Sequence, residues 1–323
     1  FASHPAVRAL ERAWRGVQLL AERAGEGVVI EAIDAAADDV AAVLEALAGD
    51  GAPAPYDLLV IDHAIGSSRR ALDYLAEWAM LAEALGAPLV ANALPELLGV
   101  DDLAALARSE RRLRSSDDPR AVAFRAAASK DAMRWACLAM NGPLARPRHA
   151  GPVERTFGVV FDEDEELFLG PALLVAALAI DAVAQTGWAC PATGVVSGLP
   201  ARAIDGFTIA VEALTTVAAA EEAAAAGIAL FRAAPGLDSA LLPRAPAVYR
   251  PASRQGVPAQ PAPHTLGDQL FIARSANAIV QLAAAIPAST GANAARDVAR
   301  VALAELFVQG DPLPAVSATI TGD

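Results

Sequence analysis

Histidine, cysteine and lysine are scarce in this chain, and their scarcity closes off most routes to chemistry. Four histidines (His4, His63, His149, His264) are scattered over 323 residues, and none has a partner at metal-ligand spacing. The two cysteines, Cys137 and Cys190, lie far apart in apolar settings with no CxxC pair, and read as two buried small hydrophobes in a reducing compartment. Lys130 is the sole lysine, so a Gly-Lys-Ser/Thr phosphate loop is missing, and so is a Gly-x-Ser-x-Gly elbow. Gly25-Glu26-Gly27 begins like a dinucleotide fingerprint, but it precedes its strand and lacks the third glycine. The most apolar stretch, Pro171 to Val183, contains Asp181, is too short to cross a bilayer, and reads as a buried core helix. The opening Phe1-Ala2-Ser3-His4-Pro5 lacks the basic start and apolar run of a signal peptide. These absences leave no catalytic, cofactor-binding or metal-ligating residue to nominate.

Basic charge is also in deficit. Thirty-eight acidic against 25 basic residues give a net charge of −13, a field that repels phosphate backbones and anionic headgroups. Nucleic acid and membrane insertion are therefore not expected, and a cytoplasmic protein is. The densest acidic run, Asp162 to Glu166, lacks the spaced ligands and central glycine of a calcium loop and reads as a solvated loop. The most enzyme-like position is Asp62-His63, at the end of a predicted strand and near Asn92, because α/β sheets hold ligands beyond their strand tips. No nucleophile or second acid accompanies it. An α/β enzyme or small-molecule binder with a site there is the alternative to a structural role.

What is present is alternation. Val7, Leu10, Trp14 and Val17 recur at helical steps after Ser3 and Pro5, predicting an amphipathic opening helix. Predicted strands at Gly27–Ile33, Asp57–Asp62 and Leu89–Ala93 are separated by helices at Val40–Leu47 and Arg70–Leu85, as crossovers in a parallel sheet require. Further helices are expected near Leu103–Leu113, at Pro119–Met140, at Pro171–Thr186 and at Glu212–Ala226. Strands are expected at Thr156–Phe161, Phe207–Val211 and Gly227–Phe231. Trp14, Trp78, Trp135 and Trp188 fall in helical stripes and are expected to pack in the core. Seven prolines between Pro235 and His264 forbid regular helix. Helices at Leu266–Ile286 and Ala292–Val308 follow, and Ala315–Thr321 alternates Val316, Ala318 and Ile320 with polar residues as a half-buried strand does. The expected fold is α/β: a mixed, partly parallel sheet flanked by helices, with a proline-rich connection and a C-terminal helical pair plus terminal strand. Its organisation is an α/β segment over 1–100, a helix-rich continuation over 101–232, an extended connection over 233–264, and C-terminal helices with an edge strand over 265–323.

Four blocks, in order, resemble the large subunit of the type VI secretion contractile sheath, the TssC (VipB, EvpB) family. They are His4-Pro5 with Ala9-Leu10-Glu11 and Trp14-Arg15-Gly16; Ala87-Pro88 with Pro95, Leu97 and Gly99; Asp181-Ala182 with Gly187-Trp188 and Gly198-Leu199-Pro200; and Gly236-x-Asp238-x-Ala240 with Val248 and Pro251. The resemblance spans residues 4 to 251. It implies a structural protomer, not an enzyme, that pairs with a small sheath subunit (TssB-like), assembles with copies of itself in helical rings, and surrounds an inner tube protein. The chain departs from the family at Leu178 and Ala278, where arginines are usual, and in a shorter segment between Gly16 and Tyr56. Trp14 and Arg15 in the first block, and Val316, Ala318 and Ile320 in the terminal strand, are the expected subunit-interface residues. Seven residues at strand rise span about 23 Å, enough to cross a sheet edge. Removing Ala315–Asp323 is therefore expected to leave a folded monomer and abolish co-assembly, as read by sedimentation and negative-stain microscopy.

Overall fold

The computed structural model describes residues 4–25, 27–49, 56–108, 113, 116–148, 155–156, 159–160, 166–204, 206–234, 237–251 and 265–274. Its helices are α1 (Pro5–Arg23), α2 (Val40–Ala48), α3 (Arg69–Leu85), α4 (Leu103–Arg108), α5 (Pro119–Ala128), α6 (Pro171–Thr186) and α7 (Val217–Ala226). Short 3-10 turns cover Pro95–Leu98 and Asp131–Trp135. A parallel sheet runs in the order β1 (Leu59–Ile65), β2 (Leu89–Ala93), β3 (Ala136–Met140) and β11 (Ile228–Leu230). Smaller antiparallel pairings join β4 (Leu144–Arg146) to β7 (Leu167–Phe168), β5 (Arg155–Thr156) to β6 (Val159–Val160), and β9 (Arg202–Ile204) to β10 (Phe207–Ile209). A three-stranded antiparallel sheet has the order β12 (Arg232–Ala233), β13 (Ser239–Leu242), β8 (Gly194–Ser197). The architecture is the expected mixed α/β one.

Side-chain alternation in the parallel strands divides the interior into two cores. Leu59, Ile61, Leu89, Ala91, Leu138, Met140, Ile228 and Leu230 face the layer formed by α2, α3, α5 and α7. Their neighbours Val90, Cys137, Ala139, Ala229 and Phe231 face α6 and the end of α1. Covered on both sides, these strands need apolar residues at every position, which is how buried parallel strands are composed. Helix α6 is apolar all round for the same reason: Pro171 through Ile180 are all buried. Among the described residues no helix is long and apolar enough to cross a membrane.

Several expectations hold residue for residue. Leu89–Ala93 and Pro171–Thr186 have the expected bounds, and α3 stops at Gly86, which adopts the left-handed conformation that a side chain disfavours. Others need correction. The helix expected over Pro119–Met140 ends at Ala128, and Ala136–Met140 is a central strand. A five-residue apolar run buried on both faces has no period to distinguish strand from helix. The helix expected from Glu212 begins at Val217, where the Thr216 hydroxyl caps it by accepting from the Ala219 N–H. Gly27–Ile33, expected as the first strand, joins no sheet among the described residues. The proline-rich connection is free of helix over 237–251, as expected, yet contributes β13. The helix expected from Leu266 is described over 266–274, and the rest of the C-terminal helical pair and the terminal strand lie outside the described residues.

The tryptophans split. Trp78 is buried and stacks on Tyr74, Trp188 is buried against Phe271, and Trp135 is half-buried, but Trp14 is 67% exposed and is no core residue. Cys137 is buried, and burial pushes its thiol up to about 12. Cys190 is only half-buried.

Close backbone approach sets the position of α6. A Cβ on Gly142 would collide with the Leu169 carbonyl oxygen, two residues before the helix begins. The Gly142→Ala variant is expected to lose about 3 kcal/mol of folding free energy, because backbone rather than a flexible side chain must give way. Urea unfolding of the purified chain measures this.

Candidate functional site

Asp62 and Asn92 are the pair placed by sequence beyond the strand ends, but β1 runs on past Asp62 to Ile65, so Asp62 lies in mid-strand and Asn92 near the end of β2. The structure brings them together and fills the space. Asp62 Oδ1 accepts from Asn92 Nδ2 at 2.7 Å and from Arg12 Nη2 of α1 at 2.9 Å. Asn92 is 3% exposed, and its Oδ1 accepts from the Ala172 N–H at 2.9 Å. Helix α6 begins at Pro171 after Gly170, which has no side chain to cap it. Asn92 therefore does from a neighbouring strand what an N-cap residue does locally, satisfying one of the orphan donors of the first turn. Gly170 lies so close to both side chains that a Cβ there would overlap Asp62 and Asn92. The pair is a weld between α1, the sheet and α6.

Beside it, His63 Nε2 lies 3.0 Å from the Ala35 carbonyl oxygen. A shallow cavity of about 290 Å³ opens here, lined by His63, Arg70, Tyr74 and Trp78 among others. Its charged groups satisfy one another: Arg70 donates to both Asp38 oxygens, and the Tyr74 hydroxyl donates to Asp38. The Tyr74 hydrogen bond and the Arg70 charge hold the Asp38 carboxyl below its ordinary range, against a smaller opposing effect of desolvation. Ser68 also lines the cavity, and its hydroxyl caps α3 by accepting from the Ala71 N–H.

Helix α1 is clamped along its length by arginine contacts. Glu11 Oε1 accepts from Arg15 Nε at 2.8 Å and from Arg146 Nε of β4 at 2.9 Å. Arg8 donates to the Glu166 carbonyl at 2.7 Å, and Arg23 pairs with Asp181 of α6 at 2.9 Å. Gly16 permits the closest approach: a Cβ there would stand 2.6 Å from Leu173 Cδ1. The Arg146 side chain is only 7% exposed, and Glu11 is one of the partners that offset its burial. Partial burial alone would raise the Glu11 carboxyl, but the hydrogen bonds and charges of Arg146 and Arg15 outweigh it and hold the group below its ordinary range.

These clamps decide which face of α1 turns outward. At 3.6 residues per turn, Arg12, Gly16, Leu20 and Arg23 share the docked side, and Leu10 and Trp14 lie opposite. Leu10 is 60% exposed and Trp14 67%. The apolar stripe read from sequence therefore includes two residues turned to solvent. Arg15, named with Trp14 as an interface residue, is engaged by Glu11 with its side chain still 40% exposed. Val316, Ala318 and Ile320 lie outside the described residues, as do Asp162 to Glu165 of the acidic run. Glu166, the last of that run, bonds to α1 and pairs with Arg202. Sequence reasoning named Glu11 only as part of a family block and did not single out Arg146, whose one signal is a charge between Ala145 and Pro147.

Asp62 and Asn92 are thus engaged internally, while Leu10 and Trp14 on α1 are among the large apolar side chains left exposed. Residues 2–222 match the family model described as VipB, the EvpB/VC_A0108 tail sheath N-terminal domain, and the chain belongs to that family. It is thus a type VI sheath subunit, in a family that is structural and non-enzymatic and whose members assemble with sheath partners. No curated protein matches the chain at the same standard.

Two outcomes are expected at these networks. Asn92→Ala leaves the first turn of α6 and the Asp62 carboxylate short of a partner, and should cost about 2 kcal/mol in urea unfolding. Because the folded value for Glu11 lies below the unfolded one, its contribution is complete above the ordinary glutamate value of about 4.3 and fades as pH falls below it. Glu11→Gln should lower stability near neutral pH and flatten that acid limb in a series of unfolding midpoints.

Proposed function

We propose that this chain is the protomer of a contractile sheath: it pairs with a small, TssB-like sheath subunit, stacks with copies of itself in helical rings around an inner tube protein, and works in the cytoplasm. The observation that carries this beyond family membership is the outward stripe on α1. Two large apolar side chains are held at fixed positions on a helix that cannot turn to hide them, because Glu11, Arg12 and Arg23 are tied to other elements. Side chains of this kind, already ordered before binding, lose little freedom on contact and serve as anchors. Trp14 is the anchor and Arg15 its charged rim. The terminal strand, with Val316, Ala318 and Ile320 on one face, is the tether that adds to a neighbour's sheet by main-chain hydrogen bonds. Contraction is then a rigid-body rearrangement of packed protomers held by such tethers.

The alternative, a small-molecule site at the strand tips, has little to offer a ligand. Asp62 and Asn92 are engaged with each other, with Arg12 and with α6.

Co-expression with a small, TssB-like sheath subunit, followed by negative-stain microscopy, tests the proposal. Tubes or rings are the expected result. Trp14→Ala should raise the concentration needed for assembly about tenfold while leaving the melting temperature of the isolated chain unchanged within about 2 °C. A compact monomer that ignores the small subunit would overturn the proposal.

A further inference from the structure

The segment after α1 has strand sequence without strand partners. Val28-Val29-Ile30-Glu31-Ala32-Ile33 is β-branched at four of six positions, the composition that suits a sheet. Residues 29–34 are nevertheless exposed throughout, with Val29 94% exposed, and belong to no ladder. Among the described residues, no backbone N–H or C=O from Val29 to Asp34 has a hydrogen-bond partner. The ends are tethered: the Val28 N–H bonds to the Gly25 carbonyl, Glu31 accepts from the Tyr56 hydroxyl, and the Ala35 carbonyl meets the His63 ring. If added to a ladder, residues 29–34 would span about 20 Å at strand rise, and their backbone groups are open for it.

Charge says what kind of strand it accepts. Between Arg23 and Arg69 the chain carries nine Asp or Glu and no Lys or Arg. Arginines from elsewhere reach Asp38, Asp57 and Asp62, but Glu31 and Asp34, on the segment itself, have no arginine partner among the described residues. A second copy of the chain, at −13, would bring like charge to this edge, and the segment Asp311–Asp323 of the same chain carries two aspartates and no basic residue. Like charges opposite one another in a ladder are destabilising, and opposite charges are favourable.

We infer that Val28–Asp34 is a docking strand for an extended, Lys/Arg-bearing segment of a different sheath chain, bound by strand addition. The inference rests on the sheath reading above and identifies the surface and the kind of partner chain that reading requires.

Hydrogen exchange on the full chain, alone and in complex with the co-expressed small subunit, tests it. In the isolated chain the amides of 29–34 should exchange at near-random-coil rates, and in the complex at least tenfold more slowly. Val29→Pro removes an N–H that bonds to nothing in the free chain, so the melting temperature should stay unchanged while the complex weakens about tenfold. Asp34→Lys should weaken it similarly, with the loss reduced at high salt. Absence of any complex would sink the sheath reading and this inference together. A complex in which residues 29–34 exchange as fast as in the free chain would overturn the inference alone. Protection already present in the isolated chain, and lost on removing Asp311–Asp323, would overturn it in favour of the chain's own tail.

Discussion

The start of α6 meets Asp62 of β1 and Asn92 of β2 so closely that Gly170 has no room for a Cβ, and the arrangement of the second core follows from that contact. A helix N-terminus brought into a dry interior exposes N–H groups that must find acceptors, and Gly170 supplies none. Asn92 supplies one from the neighbouring strand, Asp62 orients Asn92, and Arg12 balances the charge of Asp62. Through that chain of bonds the position of α6 also fixes the position of α1. A second set of contacts, from Arg23 to Asp181 and from Leu173 to the backbone at Gly16, holds the two helices together further along.

The functional consequence is a separation of roles between interior and surface. Asp62 and Asn92, polar side chains of the kind an α/β enzyme would present to substrate, are consumed by internal bonding. Large apolar side chains that a monomer would ordinarily hide are left outside on α1, and an extended segment follows it with its backbone groups open. Both features lie on the same short stretch of chain, from Leu10 to Asp34, which begins within the first family block. A subunit whose work is to hold neighbours needs a stiff body and open edges. The two-sided burial of the parallel sheet makes the body stiff, and the clamped helix keeps the edge in place.

Much of the fold was legible in the sequence because local rules and burial agreed there. Gly86 ends α3 where a left-handed cap is needed, Pro171 opens α6 where a missing N–H costs nothing, and Leu89–Ala93 is apolar throughout because both its faces are covered. The failures share a cause. Ala136–Met140 was taken for helix because an unbroken apolar run has no period. The strands β8, β9 and β13 were missed because their residues alternate weakly and pair with partners distant in sequence: Leu241 of β13, for example, opposes Val195 of β8. Asp62 and Asn92 were singled out for a ligand site, yet they bond to each other and to α6, and Trp14, expected to pack in the core, faces outward.

Taken alone, the amino-acid order determined the class of the fold, the absence of any recognisable reaction centre, and the kinship with sheath proteins. Those properties rest on composition, period and short motifs, which are local. Only the tertiary structure decided that Asn92 caps a helix, that Glu11 offsets a buried arginine, and that Trp14 faces outward rather than inward. Which side of an amphipathic helix docks depends on where glycine allows close approach and where charges find partners. Gly16 and Arg12 settled that for α1 through Leu173 and Asp62, residues 157 and 50 positions away respectively, a distance no sequence period spans.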